Sequence, residues 1–152
     1  MPSLWLPIAL IALAGAAVAA QPAFNGQLAA HLGSPLRAAL VNFLAGASVL
    51  GVLVLVLLPR HGLPEARNLA QVPTHLWLVG GSLGALFVAT AAWAAPKVGA
   101  AAFFATLVAA QLIAALVMDH FGLLGMEERP ATMVRVLGAA LLVLGALLVV
   151  RR

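Results

Sequence analysis

The chain has 152 residues, of which 64% are apolar and 8% charged, against roughly 45 to 50% and about 25% in soluble domains. With a mean hydropathy of +1.14, this composition excludes a soluble globular protein and predicts an integral membrane protein with no room for a separate soluble domain. The net charge of +4 comes from dispersed Lys and Arg rather than a basic stripe, which excludes nucleic-acid binding, and the lack of Cys excludes disulfides, thiolate nucleophiles and Cys-ligated metals.

A helix rises about 1.5 Å per residue, so crossing a hydrocarbon core of about 30 Å takes roughly 20 apolar residues. The first predicted span runs from about Leu4 to Ala20, or to residue 27 if it passes through Pro22. Its Ala17-Val18-Ala19-Ala20-Gln21 end looks like a signal-peptide cleavage site, but no Lys or Arg precedes the apolar core, so the segment is read as a crossing. The second span runs from Leu36 to Leu58, opened by Pro35 and closed by Pro59. The polar stretch from Pro59 to Thr74 reads most simply as a solvated loop; the alternative is a short interfacial helix over Pro64 to Ala70.

The third span, Leu76 to Ala95, carries the GxxxG pair Gly80 and Gly84 followed by many alanines, which predicts close helix packing at a crowded centre. The short Pro96-Lys97-Val98 connection predicts an antiparallel hairpin to the fourth span, Gly99 to Met118. Glu127 and Glu128 read as a solvated pair stabilised by the dipole at the start of the fifth span, Met133 to Val150. On that last span Gly138 and Gly145 are candidates for a dimer contact or for packing inside the protomer. Trp5, Trp77 and Trp93 fall near span ends, where indole rings favour the interface. The expected fold is all-α, one five-helix transmembrane domain over residues 1–152.

Polar side chains at bilayer depth either bond between helices or line a cavity. Gln21 and Asn25 are four apart and share a face if the first helix continues past Pro22; Asn42 and Thr90 come at similar depth, and Gln111 near the midplane. Together with Trp93 they are the candidate lining of one substrate vestibule. No Asp, Glu, Lys or Arg occupies the middle of a predicted span, which disfavours an antiporter built on a mid-membrane carboxylate. Asp119 and His120 close the fourth span as a candidate proton relay, or Asp119 caps the helix end or pairs with Arg135. His31, His61 and His75 are too scattered to hold a metal, no cofactor motif is present, and without HExxH, Gly-x-Ser-x-Gly or a phosphate loop no enzyme is expected.

Five crossings put the termini on opposite sides. Arg60, Arg67, Arg129 and Arg135 then fall on one side, and Arg37, Lys97, Arg151 and Arg152 on the other. Orientation follows the excess of Lys and Arg, so this even division gives no instruction and predicts insertion both ways round. The assembly expected from dual topology is an antiparallel dimer in the lipid bilayer, with the second copy supplying the inverted repeat that one chain cannot contain.

Gly15 through Gln21-Pro22-Ala23-Phe24-Asn25, Gly33-Ser34-Pro35-Leu36-Arg37 leading into Asn42-Phe43, Gly80-Gly81-Ser82-Leu83-Gly84, Gln111-Leu112 and Asp119-His120-Phe121-Gly122-Leu123 carry a resemblance. Over essentially its whole length the chain resembles the YdcZ-like family of five-helix bacterial inner membrane proteins, within the drug/metabolite transporter superfamily. The resemblance implies export of an unidentified small molecule and pairing as antiparallel homodimers or heterodimers. Small multidrug relatives use a Glu in helix one, where this chain has Gln21 and Asn25. The expected function is therefore a small-molecule exporter working by alternating access as an antiparallel homodimer. Its rivals are a non-transporting subunit that pairs with an oppositely oriented partner protein, and a passive pore, for which the third and fifth spans are too apolar.

Overall fold

The computed structural model describes residues 5–63 and 65–151. The expected first-span start at Leu4, the helix-opening Pro64 and Arg152 lie outside them. The described residues form helices with no strand, and five of the helices are long and apolar enough to cross a membrane. They divide into two compact units, Met1–Pro96 and Lys97–Arg152.

In the first unit, α1 (Trp5–Leu32) runs unbroken through Pro22. Proline removes the N–H that would bond the Val18 carbonyl, a loss tolerated at membrane depth only where protein or water covers the site, and Pro22 is buried. The helix ends at Gly33, whose φ of 66° suits a residue without Cβ, and the Ser34 N–H closes back on the Ala29 carbonyl at 3.1 Å. Pro35 then opens α2 (Pro35–His61), and Arg37 donates to the Leu32 carbonyl at 3.0 Å, satisfying another orphan acceptor of α1.

Three boundaries differ from the sequence expectation. α2 passes Pro59 and stops at Gly62, because a proline so near a C-terminus forfeits one hydrogen bond without ending the helix. The polar connection is not all loop: α3 (Ala66–Ala70) makes one turn and a half. α4 (Thr74–Val98) starts before Leu76 and continues over Pro96, so the residues read as a connection are its last turn.

Side-chain burial in this unit concentrates on small residues. Ala29, Ala38 and Ala92 form a buried cluster with Leu28 against it. Without a hydrophobic driving force between helices in lipid, close approach of small residues is what holds such a bundle. The tightest approach is at Gly26, where a Cβ would stand 2.8 Å from Pro96 Cγ of α4. Of the GxxxG pair, only Gly84 meets a neighbour, with the Phe43 ring 3.2 Å from the position of a Cβ; Gly80 has none within 4 Å. The buried residues of α4 lie further along, at Val88, Ala91, Ala92 and Ala95. Most large apolar side chains, including Val49 to Val56 of α2, point outward, as lipid-facing residues do.

The second unit packs α5 (Ala100–His120) against α6 (Met133–Val150) around Ala109, Ala139 and Ala146. Gly99, with φ of 87°, precedes α5 and accepts the Phe103 N–H at 3.0 Å. Thr132 caps α6 by accepting the Arg135 N–H. Glu127 and Glu128 lie well before that cap, so the first turn of α6 holds no acid and its dipole is not what they serve. Glu127 instead accepts from Arg129 at 3.0 Å.

Candidate functional site

The polar site of the first unit follows from hairpin symmetry. Asn25 is eight residues before Gly33 and Asn42 eight residues after Ser34, so in a closed α1–α2 hairpin both come to the same depth, about 12 Å from the turn. They meet there. Asn42 Nδ2 donates to Asn25 Oδ1 at 2.7 Å. Asn25 is 2% exposed and its own Nδ2 is buried with no acceptor. Exchanging oxygen and nitrogen in both amides preserves the bond and leaves the Asn25 oxygen unpartnered instead, so one polar atom of Asn25 stays unsatisfied either way.

Asn42 is half-buried, with its amide oxygen unpaired among the described residues. On its open side lies a cavity of about 290 Å³, walled by Gln21 of α1, by Asn42, Phe43, Gly46 and Leu50 of α2, and by Val88 of α4. Gln21, four residues from Asn25 on the same face of α1, adds a second amide with no hydrogen-bond partner among the described residues. The lining contains no ionisable side chain. Chemically this is a recess with one apolar wall and two neutral hydrogen-bonding groups.

The other candidates separate. Thr90 and Trp93 line a second, more open recess of about 400 Å³ with Ser34, Pro35 and Leu36. Gln111 belongs to the second unit, where it is exposed on α5. Gly138 and Gly145 face open space within that unit.

Asp119, His120 and Arg135 come together at one end of the second unit. Arg135 Nη2 donates to Asp119 Oδ2, while its Nη1 reaches the Arg129 carbonyl at 3.0 Å. The Asp119 carbonyl accepts the Arg129 N–H at 2.8 Å, and His120 Nδ1 accepts the Ala131 N–H at 3.2 Å. These contacts tie the 121–132 connection down onto both helices. Glu127 raises the Arg129 guanidinium above its ordinary range, so Arg129 stays charged at any pH a bilayer tolerates. Below the clasp is an apolar recess of about 290 Å³ between Ile113, Val117, Phe121 and Val136. No group of three or more His, Asp or Glu able to hold a metal occurs among the described residues.

The Asn25–Asn42 bond was missed from the sequence, although equal spacing from Gly33-Ser34 signals it. Gly26 was also missed, since nothing local announces a partner as distant as Pro96.

Comparison with known proteins places these features in a family. A sequence model of the family described as "Putative inner membrane exporter, YdcZ" matches residues 6–148. The chain is 33% identical to the inner membrane protein YdcZ of Escherichia coli strain K12 over 147 residues, which is 97% of this chain and 96% of that protein. No solved structure matches it significantly.

Proposed function

The chain belongs to the YdcZ family of inner membrane exporters, and on that premise we propose that it exports a small molecule by alternating access as an antiparallel homodimer. The five spanning helices act as one protomer. The observation that carries the reading is that the Gln21 amide of α1 and the Asn42 amide of α2 line one recess that contains no ionisable side chain. A purely structural polar contact satisfies itself; here Asn25 serves to fix Asn42, and Asn42 keeps one polar atom for the recess. Thr90 and Trp93 line a second recess of the first unit open to the same solute. Asp119 and Arg135 hold the α5–α6 end closed as an ion pair.

The homodimer rests on the even four-against-four division of Lys and Arg and on the odd number of crossings. Gly138 and Gly145, open on α6, offer its contact. Single cysteines at Gln71→Cys and appended after the last residue, probed with a membrane-impermeant maleimide, test the topology. Both sites are expected to label from outside in about equal fractions. Labelling of one alone means a fixed orientation and a partner protein of opposite topology. Variants biased in opposite senses by added lysines should then fail to pair alone and pair when co-expressed; pairing of either alone would refute the antiparallel arrangement.

A further inference from the structure

We infer that the cavity between α1, α2 and α4 selects an electrically neutral amphiphile: a molecule with one apolar face and a neutral hydrogen-bonding group at its edge. The inference rests on the export reading above and names its substrate class.

Three observations carry it. First, the cavity wall holds no ionisable group, and the nearest charge along α2 is Arg37, five residues toward the helix end and already donating to the Leu32 carbonyl. An ion brought to this depth would shed water with nothing of opposite sign to replace it, a penalty of several kcal/mol even after relaxation. Arg37, being positive, adds repulsion for a cation. An anion would have to rely on Arg37 about 8 Å away along the helix.

Second, the polar edge is made of neutral amides. Asn42 uses one of its two polar atoms on buried Asn25 and keeps the other for the cavity. Gln21, with no partner among the described residues, adapts as donor or acceptor. A ligand without a hydrogen-bonding group leaves these amide atoms desolvated and unpaired, the kind of mismatch by which buried polar groups discriminate most strongly.

Third, the apolar lining is Phe43 and Leu50 of α2, the helix that carries Asn42, and Val88 of α4, with Gly46 leaving backbone close to the space. That wall takes a flat or aromatic surface. The volume of about 290 Å³ sets the scale to a molecule of one or two rings.

A matched set of benzophenone photoprobes tests this in reconstituted bilayers: 4-(hydroxymethyl)benzophenone, 4-methylbenzophenone, the trimethylammonium analogue and 4-benzoylbenzoate. Crosslinks are mapped by peptide mass spectrometry, and yield at buried Val88 is divided by yield at exposed Leu144 to cancel partitioning. The hydroxymethyl probe is expected to exceed both charged probes by about tenfold or more, and the methyl probe by several-fold. Asn42→Leu should remove the preference over the methyl probe. A cation or anion that labels Val88 as well as the alcohol overturns the substrate class but leaves the cavity as a binding site. A methyl probe equal to the alcohol overturns the hydrogen-bonding requirement. If no probe labels Val88 above Leu144, the cavity is not a solute site, and the export reading that places one there fails with it.

Discussion

The Asn25–Asn42 pair makes an asymmetric prediction. Asn42→Ala deletes the donor and strands both polar atoms of Asn25, which is 2% exposed and has no other partner. Interhelical hydrogen bonds in membrane proteins contribute about 0.6 kcal/mol on average and at most about 1.7, and stranding a buried polar group adds about 1 to 3 kcal/mol. Asn42→Ala should therefore cost about 2 to 3 kcal/mol. Asn25→Ala loses the same bond, but it also deletes the buried Nδ2 that has no acceptor, and Asn42 can turn its amide to the cavity. Its net cost should be about 1 kcal/mol, a small cavity term included. Reversible unfolding in mixed micelles, with the double mutant closing the cycle, should give a coupling of about 1 kcal/mol and Asn42→Ala as the worse single change. Equal losses, or a coupling near zero, would refute both the bond and the directional role given to Asn25.

Gly26→Ala should destabilise by about 1 to 3 kcal/mol, because its Cβ would lie 2.8 Å from the Pro96 ring, whereas Gly80→Ala, with nothing within 4 Å, should be neutral or slightly stabilising in the same unfolding assay. Arg135→Lys keeps the charge but cannot reach Asp119 and the Arg129 carbonyl together, so amides of residues 121–132 should lose several-fold protection in hydrogen exchange; unchanged protection would show that the clasp does not hold the connection. Because His120 Nδ1 accepts from the Ala131 N–H, the neutral ring must carry its proton on Nε2, which nitrogen chemical shifts of the labelled histidine will report; an Nδ1–H tautomer would contradict the geometry.

The spanning segments were legible because lipid imposes a length and an apolar composition that few other constraints imitate. Proline was the weak signal. Pro22, Pro59 and Pro96 all lie inside helices here, since each costs one hydrogen bond, and burial or proximity to a helix end makes that loss bearable. Helix rise is constant, so equal spacing from Gly33-Ser34 brings Asn25 and Asn42 level with each other in the hairpin. Which polar atoms meet depends on helix rotation, and that is set by Gly26 against Pro96 and Gly84 against Phe43, contacts between residues far apart in the chain. The α5–α6 clasp was half readable. Opposite charges at Asp119 and Arg135 suggest a pair, but the His120 contact needs a connection that turns through positive φ at Gly122, Leu124 and Gly125.

The depth of the site bears on the dimer proposed for it. Asn42 lies seven residues into α2, about 10 Å from that end of a hydrocarbon core about 30 Å thick. On that count one copy presents the Asn25–Asn42 pair in one half of the bilayer, with Gln21, about 18 Å from the turn, near the midplane. A parallel pair would double the Asn25–Asn42 site on one side alone. An antiparallel pair places the second Asn42 in the opposite half, so the two Asn42 amides stand about 10 Å apart in depth with the Gln21 side chains between them. That separation is small enough for a solute the size of the cavity to pass from one to the other as the two protomers exchange conformations. The even charge division and the off-centre site thus favour the same arrangement for independent reasons, one electrostatic and one geometric.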